Sequence, residues 1–196
     1  MTNAITEPLQ LVDGSSPMTS DAMLDWLTAH GWPCPTIDHA PMYTVEDSKA
    51  LRVTPEGEGD IKNLFLRNKK GQMWLISCHE DQPIDLKALA GAVGAGRFSF
   101  CSEQRLMQYL GVQPGSVSPL ALINDRSGVV QFLIDSALFK TPRIYLHPLI
   151  NTRTTTLSTE DLIHFAVKIS HPPRVVTFSP NGVHCAPHPI QSMPYE

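Results

Sequence analysis

Long apolar runs are missing from this 196-residue chain, and no stretch approaches the ~20 residues that a membrane-spanning helix needs. Paired cysteines are missing as well. Cys34, Cys78, Cys101 and Cys185 are scattered with no CxxC, which argues against a disulfide scaffold or a zinc ribbon and for reduced thiols in the cytoplasm. The first residues, MTNAITEPLQ, have neither a basic segment nor an apolar core, so a signal peptide is not expected. Charge is sparse at 17%, and 19 acidic against 15 basic residues leave a net −4, the wrong sign for a uniformly basic nucleic-acid binder. Several catalytic signatures are also absent. There is no GxSxG, no HExxH, and no GK[ST] behind the glycines at 91, 94 and 96.

What charge there is falls unevenly. Residues 1–60 hold 2 basic and 10 acidic side chains, whereas 61–154 hold 11 basic and 6 acidic ones. Lys62, Arg67, Lys69 and Lys70 fall within 61–74 without an acid, and Lys140, Arg143 and Arg153 fall within 136–154 without one. An anionic ligand responds to such a local field rather than to the net charge.

The pattern along the chain is that of one α/β (α+β) domain. Residues 1–18 read as a flexible arm and 179–196, with four prolines, as a flexible tail, which leaves 19–178 as the folded unit. Met23, Trp26, Leu27 and His30 have helical spacing, closed by Gly31. Thr36–His39 suits a short strand, Pro41–Val45 an extended piece, Glu46–Leu51 a short helix and 55–60 a loop. Residues 61–67 and 72–78 flank Asn68-Lys69-Lys70-Gly71 as a β-hairpin. Helices are expected over 85–93, after Ser102, and from the capping box Ser158-Thr159-Glu160-Asp161. Leu120–Ile123 and Val129–Ile134 read as a second hairpin, 143–147 and 152–157 as strands, and Arg174–Phe178 as the last strand. Interleaved strands and helices imply a mixed sheet surrounded by helices.

Three places could carry chemistry. Lys62 and Asn63 adjoin at the start of the hairpin and point to opposite faces in a regular strand. In Gly115-Ser116-Val117-Ser118-Pro119, a permissive glycine and a fixed proline can hold main-chain N–H groups free for an oxygen ligand. His147-Pro148 ends a strand. Each also has an ordinary structural reading as a solvated strand residue, a turn or a capping group. His184, Cys185 and His188 are close in sequence, but they lie in the expected tail with no fourth ligand nearby, so no metal site is assigned.

Taken together, Lys62-Asn63-Leu64-Phe65-Leu66-Arg67, the GxxxP loop 115–119 with Leu122-Ile123-Asn124-Asp125 behind it, and His147-Pro148-Leu149-Ile150-Asn151-Thr152 resemble the YbaK/prolyl-tRNA synthetase-associated editing superfamily. Within it the chain is most similar to the free-standing ProXp-ala (PrdX) branch. The resemblance implies a single domain with a mixed, mostly antiparallel sheet surrounded by helices. It implies a trans-editing hydrolase that deacylates mischarged Ala-tRNA(Pro), with no metal or other cofactor. The partners implied are tRNA(Pro) carrying alanine and prolyl-tRNA synthetase, not DNA or a membrane. Clearing another small amino acid, or binding tRNA or the synthetase without catalysis, are the competing readings.

The resemblance also distributes roles. An aminoacyl ester is already activated, so a positioned water and a stabilised oxyanion suffice, with the ribose 2′-hydroxyl assisting. Lys62 would hold the phosphate or ribose end, Asn63 would orient the ester, Gly115 would open the loop of N–H donors, and His147 would position the substrate, with a role as base ranked second. Ser116, Val117, Ser118 and Pro119 complete the loop. Leu146 would shape the pocket beside His147, and Ile37, Met42, Tyr43 and Phe65 would wall out proline. Arg67, Lys69, Lys70, Arg143 and Arg153 would meet acceptor-stem phosphates.

Overall fold

A computed structural model describes residues 10–41 and 58–194. Helix α1 (Ser20–Ala29) starts where the Thr19 hydroxyl accepts the Ala22 N–H, and its apolar stripe buries Met23 and Leu27 completely. The two prolines at 33 and 35 hold the next segment extended, and β1 (Thr36–Asp38) follows. Strands β2 (Glu58–Arg67) and β3 (Met73–His79) form the expected hairpin, paired from Ile61↔His79 to Arg67↔Met73. At its turn Gly71 takes φ +81°, and the Asn68 Oδ1 accepts the N–H groups of Lys70 and Gln72.

Helix α2 (Leu86–Val93) is capped by Asp85, and helix α3 (Glu103–Leu110) by Ser102. Between them lies the two-residue strand β4 (Ser99–Phe100). Gly111 stops α3 at φ +64°, where a Cβ would sit 2.6 Å from Pro17 Cβ, so both conformation and space demand glycine there. Strands β5 (Val130–Asp135), β6 (Arg143–Leu146) and β7 (Arg153–Ser158) precede helix α4 (Thr159–Lys168), whose cap Ser158 accepts the Asp161 N–H. Strands β8 (Arg174–Ser179) and β9 (Gly182–Pro189) end the described chain.

The strands join in one sheet of order β1-β7-β6-β2-β3-β5-β8-β9, with β4 also on β2. Pairings β2–β6, β3–β5 and β5–β8 are parallel and the others antiparallel. The mixed, mostly antiparallel sheet with helices around it agrees with the expected fold class. Both faces of its centre are covered. Phe65, Leu75, Phe132 and Ile134 pack beneath α1, α3 and α4, while Leu66, Trp74, Ile76 and Leu133 pack against α2, Phe98 and Val176. That explains why β3, MWLISCH, reads as a continuous apolar run rather than an alternating one.

Four expectations need correction. Residues 120–123 are not a hairpin strand, because Pro119–Asn124 forms a 3-10 helix with Ser118 as its cap and proline in its first turn. Leu120, Ala121 and Leu122 are all fully buried, so the run carries no alternation that could mark it as strand or 3-10 turn. Strand β5 instead runs parallel to β3, from Met73↔Val130 to Ser77↔Ile134. The expected loop at 55–60 gives way at Glu58, which opens β2 and pairs with Arg143.

The terminal boundaries also move. Residues 182–189, placed in a tail, form β9 and bury Cys185 against the α2 face. Prolines 187 and 189 are tolerated because β9 is an edge strand and its register slips between Arg174 and Val176. At the other end, within the supposed arm, Leu11 is buried and the Val12 N–H donates to the Gln108 carbonyl. The expected pieces at 41–45 and 46–51 lie wholly or almost wholly outside the described residues.

Candidate active site

The site begins with an interruption in the sheet. On the β2 edge opposite β3, residues 58–60 pair with β6, residues 66–67 pair with β4, and the Phe65 carbonyl accepts the Cys101 N–H. No described strand pairs with Ile61–Leu64 on that edge. The two-residue repeat turns the main-chain groups of Asn63 the same way as those of Phe65, into this gap. The parallel register Asp60↔Tyr145, continued past its last pair, brings Leu146 and His147 level with Ile61 and Lys62.

The Asn63 side chain bridges the hairpin to the GxxxP loop. Its Nδ2 donates to the Val117 carbonyl at 3.1 Å, and its Oδ1 accepts the Ser77 hydroxyl at 2.6 Å. Each end of this amide thus makes one bond to the protein, which ties the loop to the hairpin.

Within the loop, Gly115 has φ +85° and is exposed, while Ser116 and Ser118 are buried. The Ser116 N–H is spent on the Gln113 carbonyl, so not every loop donor is available. No described acceptor takes the N–H groups of Gly115, Val117 or Ser118. The Ser118 hydroxyl instead accepts the Leu120 N–H, which seats Pro119 in the core. Gly115 and Val117 border a cavity of about 250 Å³ together with Asn63, Leu64, Phe65, Phe100, Cys101, Glu103, Leu106 and Pro114. Free N–H groups beside an apolar cavity can stabilise a developing oxyanion.

Other expected residues fall into distinct places. Strand alternation puts Lys62 on the opposite face from Asn63, beside its cross-strand partner Cys78, and no described carboxylate pairs with it. Burial pushes the Cys78 thiol up to about 12, although Lys62 pulls the other way. This cysteine is accordingly a packing residue and not a nucleophile. Cys101, at the cavity, is pushed up by burial to about 11.

His147 is half-buried, and its Nδ1 donates to the Arg153 carbonyl at 2.7 Å. Its ring lies 6.0 Å from that of His39, whose Nε2 meets the Thr154 hydroxyl at 2.8 Å. His39 is a neighbour that sequence reading treated as a simple strand end.

Of the four expected pocket walls, Phe65 lines the cavity, whereas Ile37 does not: it is 60% exposed on β1. Met42 and Tyr43 lie outside the described residues. Leu146 is buried in the main core. Lys69, Lys70 and Arg143 are exposed and Arg67 half-exposed, as phosphate contacts would require. Arg153 is not a free cation. Its guanidinium pairs with Asp21 of α1 and, at 2.7 Å, with Asp38 of β1, which hold it further in the charged form. His184 and His188 sit four residues apart on β9, about 13 Å along a strand, too far to share a metal.

The overall fold recurs in solved structures. The fold matches a crystal structure of a candidate trans-editing enzyme for prolyl tRNA synthetase with a TM-score of 0.61, at 15% identity, over 82% of this chain and 96% of that one. It also matches a hypothetical protein at a TM-score of 0.60 and 18% identity, over 73% and 92%. The class is thus a single-domain mixed α/β fold shared with these proteins.

Sequence comparison is more specific. The model of the aminoacyl-tRNA editing domain matches residues 39–165, and the chain belongs to that family. It is 39% identical over 127 residues to the prolyl-tRNA editing protein ProX of Acetoanaerobium sticklandii, covering 64% of this chain and 77% of that protein. It is 35% identical over 150 residues to prolyl-tRNA synthetase associated domain-containing protein 1 of Bos taurus, covering 74% and 86%.

Proposed function

We propose that this protein is a trans-editing hydrolase that deacylates Ala-tRNA(Pro) by attack of water on the 3′-terminal aminoacyl ester. The observation that carries the reading is the loop tethered by Asn63, whose Gly115 and Val117 N–H groups, taken by no described acceptor, border a cavity at the β2 gap. The family and the similarity to ProX support editing of prolyl-tRNA as the setting.

In this reading the ester carbonyl lies against the loop, and its oxygen gains charge as water adds. The loop N–H groups take up that charge without reorganising, because Asn63 and the buried Ser118 already fix their direction. The collapse of the tetrahedral intermediate returns the proton to the ribose oxygen and releases alanine. Lys62, unpaired on β2, holds the phosphate end of the terminal nucleotide across the open edge. His147 positions the substrate from the other side of the gap through a ring fixed by the Arg153 carbonyl.

Alanine presents only a methyl group, so preference must come from rejecting the larger cognate residue. Phe65 supplies one wall. Basic residues at Arg67, Lys69, Lys70 and Arg143 meet the acceptor-stem phosphates. Prolyl-tRNA synthetase is the natural source of the mischarged tRNA, and the work of the protein belongs in the cytoplasm.

The test is release of alanine from Ala-tRNA(Pro) by micromolar protein. Hydrolysis well above buffer, and markedly slower in Lys62→Ala, is expected. Hydrolysis no faster than in buffer contradicts the reading, and faster clearance of Ser- or Cys-tRNA would redirect it to another small amino acid.

A further inference from the structure

Phe100 is 59% exposed although both neighbouring elements are well packed, with Phe98 buried on one side and Cys101 hydrogen-bonded to Phe65 on the other. It forms one wall of the cavity at the β2 gap, whose other walls include Leu64, Phe65, Leu106 and Pro114. At about 250 Å³ that cavity is far larger than the methyl group of an alanyl ester needs, and its apolar lining suits a flat ring.

The charge around it has a definite pattern. Arg67 pairs across strands with Ser99, and Arg105 lies in the first turn of α3. Both are near enough to stabilise the Cys101 thiolate, with Arg105 the stronger, and no described carboxylate forms an ion pair with either. The acid facing the same cavity is Glu103, exposed in the first turn of α3. Its carboxylate is an acceptor at the rim, a match for an exocyclic amino group.

We propose that this cavity is a nucleobase site: an unpaired base at the 3′ end of an RNA stacks on Phe100, its exocyclic amine faces Glu103, and Arg67 and Arg105 meet the adjoining phosphates. Exposed aromatic faces flanked by arginines are the recurring means of holding single-stranded RNA. In this arrangement the base takes the Phe100 end of the cavity, and the ester with its alanine lies at the other end, by the Gly115 and Val117 N–H groups. This deepens the tRNA reading above and rests on it for the identity of the RNA.

The experiment measures binding of two short single-stranded RNA oligonucleotides by the full chain, one ending in CCA and one identical but abasic at its last position. Neither carries an ester, so the result is independent of hydrolysis. Wild type is expected to bind the CCA end about tenfold more tightly than the abasic one. Phe100→Ala should abolish that difference and Phe100→Trp should keep it. Arg67→Ala with Arg105→Ala should weaken both oligonucleotides and flatten the salt dependence. Equal binding of the two oligonucleotides by wild type, or an unchanged preference in Phe100→Ala, overturns the site. If the preference is present but Ala-tRNA(Pro) is not hydrolysed, the base site stands and the deacylase reading falls.

Discussion

Asn63 Nδ2 lies 3.1 Å from the carbonyl oxygen of Val117, a bond that joins two segments 54 residues apart in the chain. It ties the direction of the loop donors to the hairpin. In Asn63→Asp the donor is replaced by an oxygen facing an oxygen. We expect kcat on the aminoacyl ester to fall by about tenfold or more with KM little changed, since a misdirected oxyanion donor costs the transition state. Initial rates across a range of substrate concentrations separate the two. An equal rise in KM with kcat intact would instead make Asn63 a binding residue.

Lys62 stands on the other face of β2 without a described carboxylate partner. Its expected contact is a charge-assisted one to phosphate, worth about 1.5–3 kcal/mol. Lys62→Ala should therefore lose roughly 10- to 100-fold in kcat/KM, and Lys62→Arg should recover part of it. Circular dichroism should show both variants folded, because the side chain is not in either core.

Arg153 and Arg143 should part company in their salt response. Because Asp21 and Asp38 already neutralise Arg153, Arg153→Ala should lower the melting temperature and leave the slope of log Kd against log salt unchanged. Arg143→Ala should reduce that slope by about 1 and leave melting unaltered. Fluorescence anisotropy with tRNA across a salt series reads both.

Acid should act through the pair Asp125–His171, whose Oδ2 and Nε2 are 3.1 Å apart and fully enclosed. Burial alone would raise the Asp125 carboxyl. The bonds from His171, the Val130 N–H and Ser127 outweigh it and hold the group below its ordinary 3.8. A carboxyl lowered by folding stabilises above its unfolded value and loses that contribution as pH falls through the folded one. Asp125→Asn should cost about 3 kcal/mol at neutral pH, with the gap to wild type closing below about pH 4. Denaturant midpoints at several pH values check it.

Truncation after Ser179 tests the corrected boundary. Loss of β9 uncovers Val176, Phe178 and α2, and should cost at least about 2 kcal/mol, a fall in melting temperature of roughly 5 °C. A dispensable tail would change nothing.

Local signals were legible where one residue decides the outcome. Gly71 and Asn68 set the hairpin turn, while Asp85, Ser102 and Ser158 set three helix starts. The run at 120–123 was not legible, because a short apolar segment burying every side chain has no period to distinguish strand from 3-10 turn. β9 was hidden because its prolines fit only an edge position, and an edge exists only once the other strands are ordered. At the site, the motif residues were found but not their geometry. That Asn63 grips the loop, that Arg153 is consumed by two carboxylates, and that Phe100 opens onto the cavity all follow from contacts between distant segments.

The most direct test is a side-by-side time course of Ala-tRNA(Pro) and Pro-tRNA(Pro) with the same preparation of enzyme. The account predicts rapid loss of the alanyl ester and a prolyl ester as long-lived as in buffer, with Lys62→Ala roughly 10- to 100-fold slower on the alanyl ester. Equal hydrolysis of the two esters, or of neither, would contradict it.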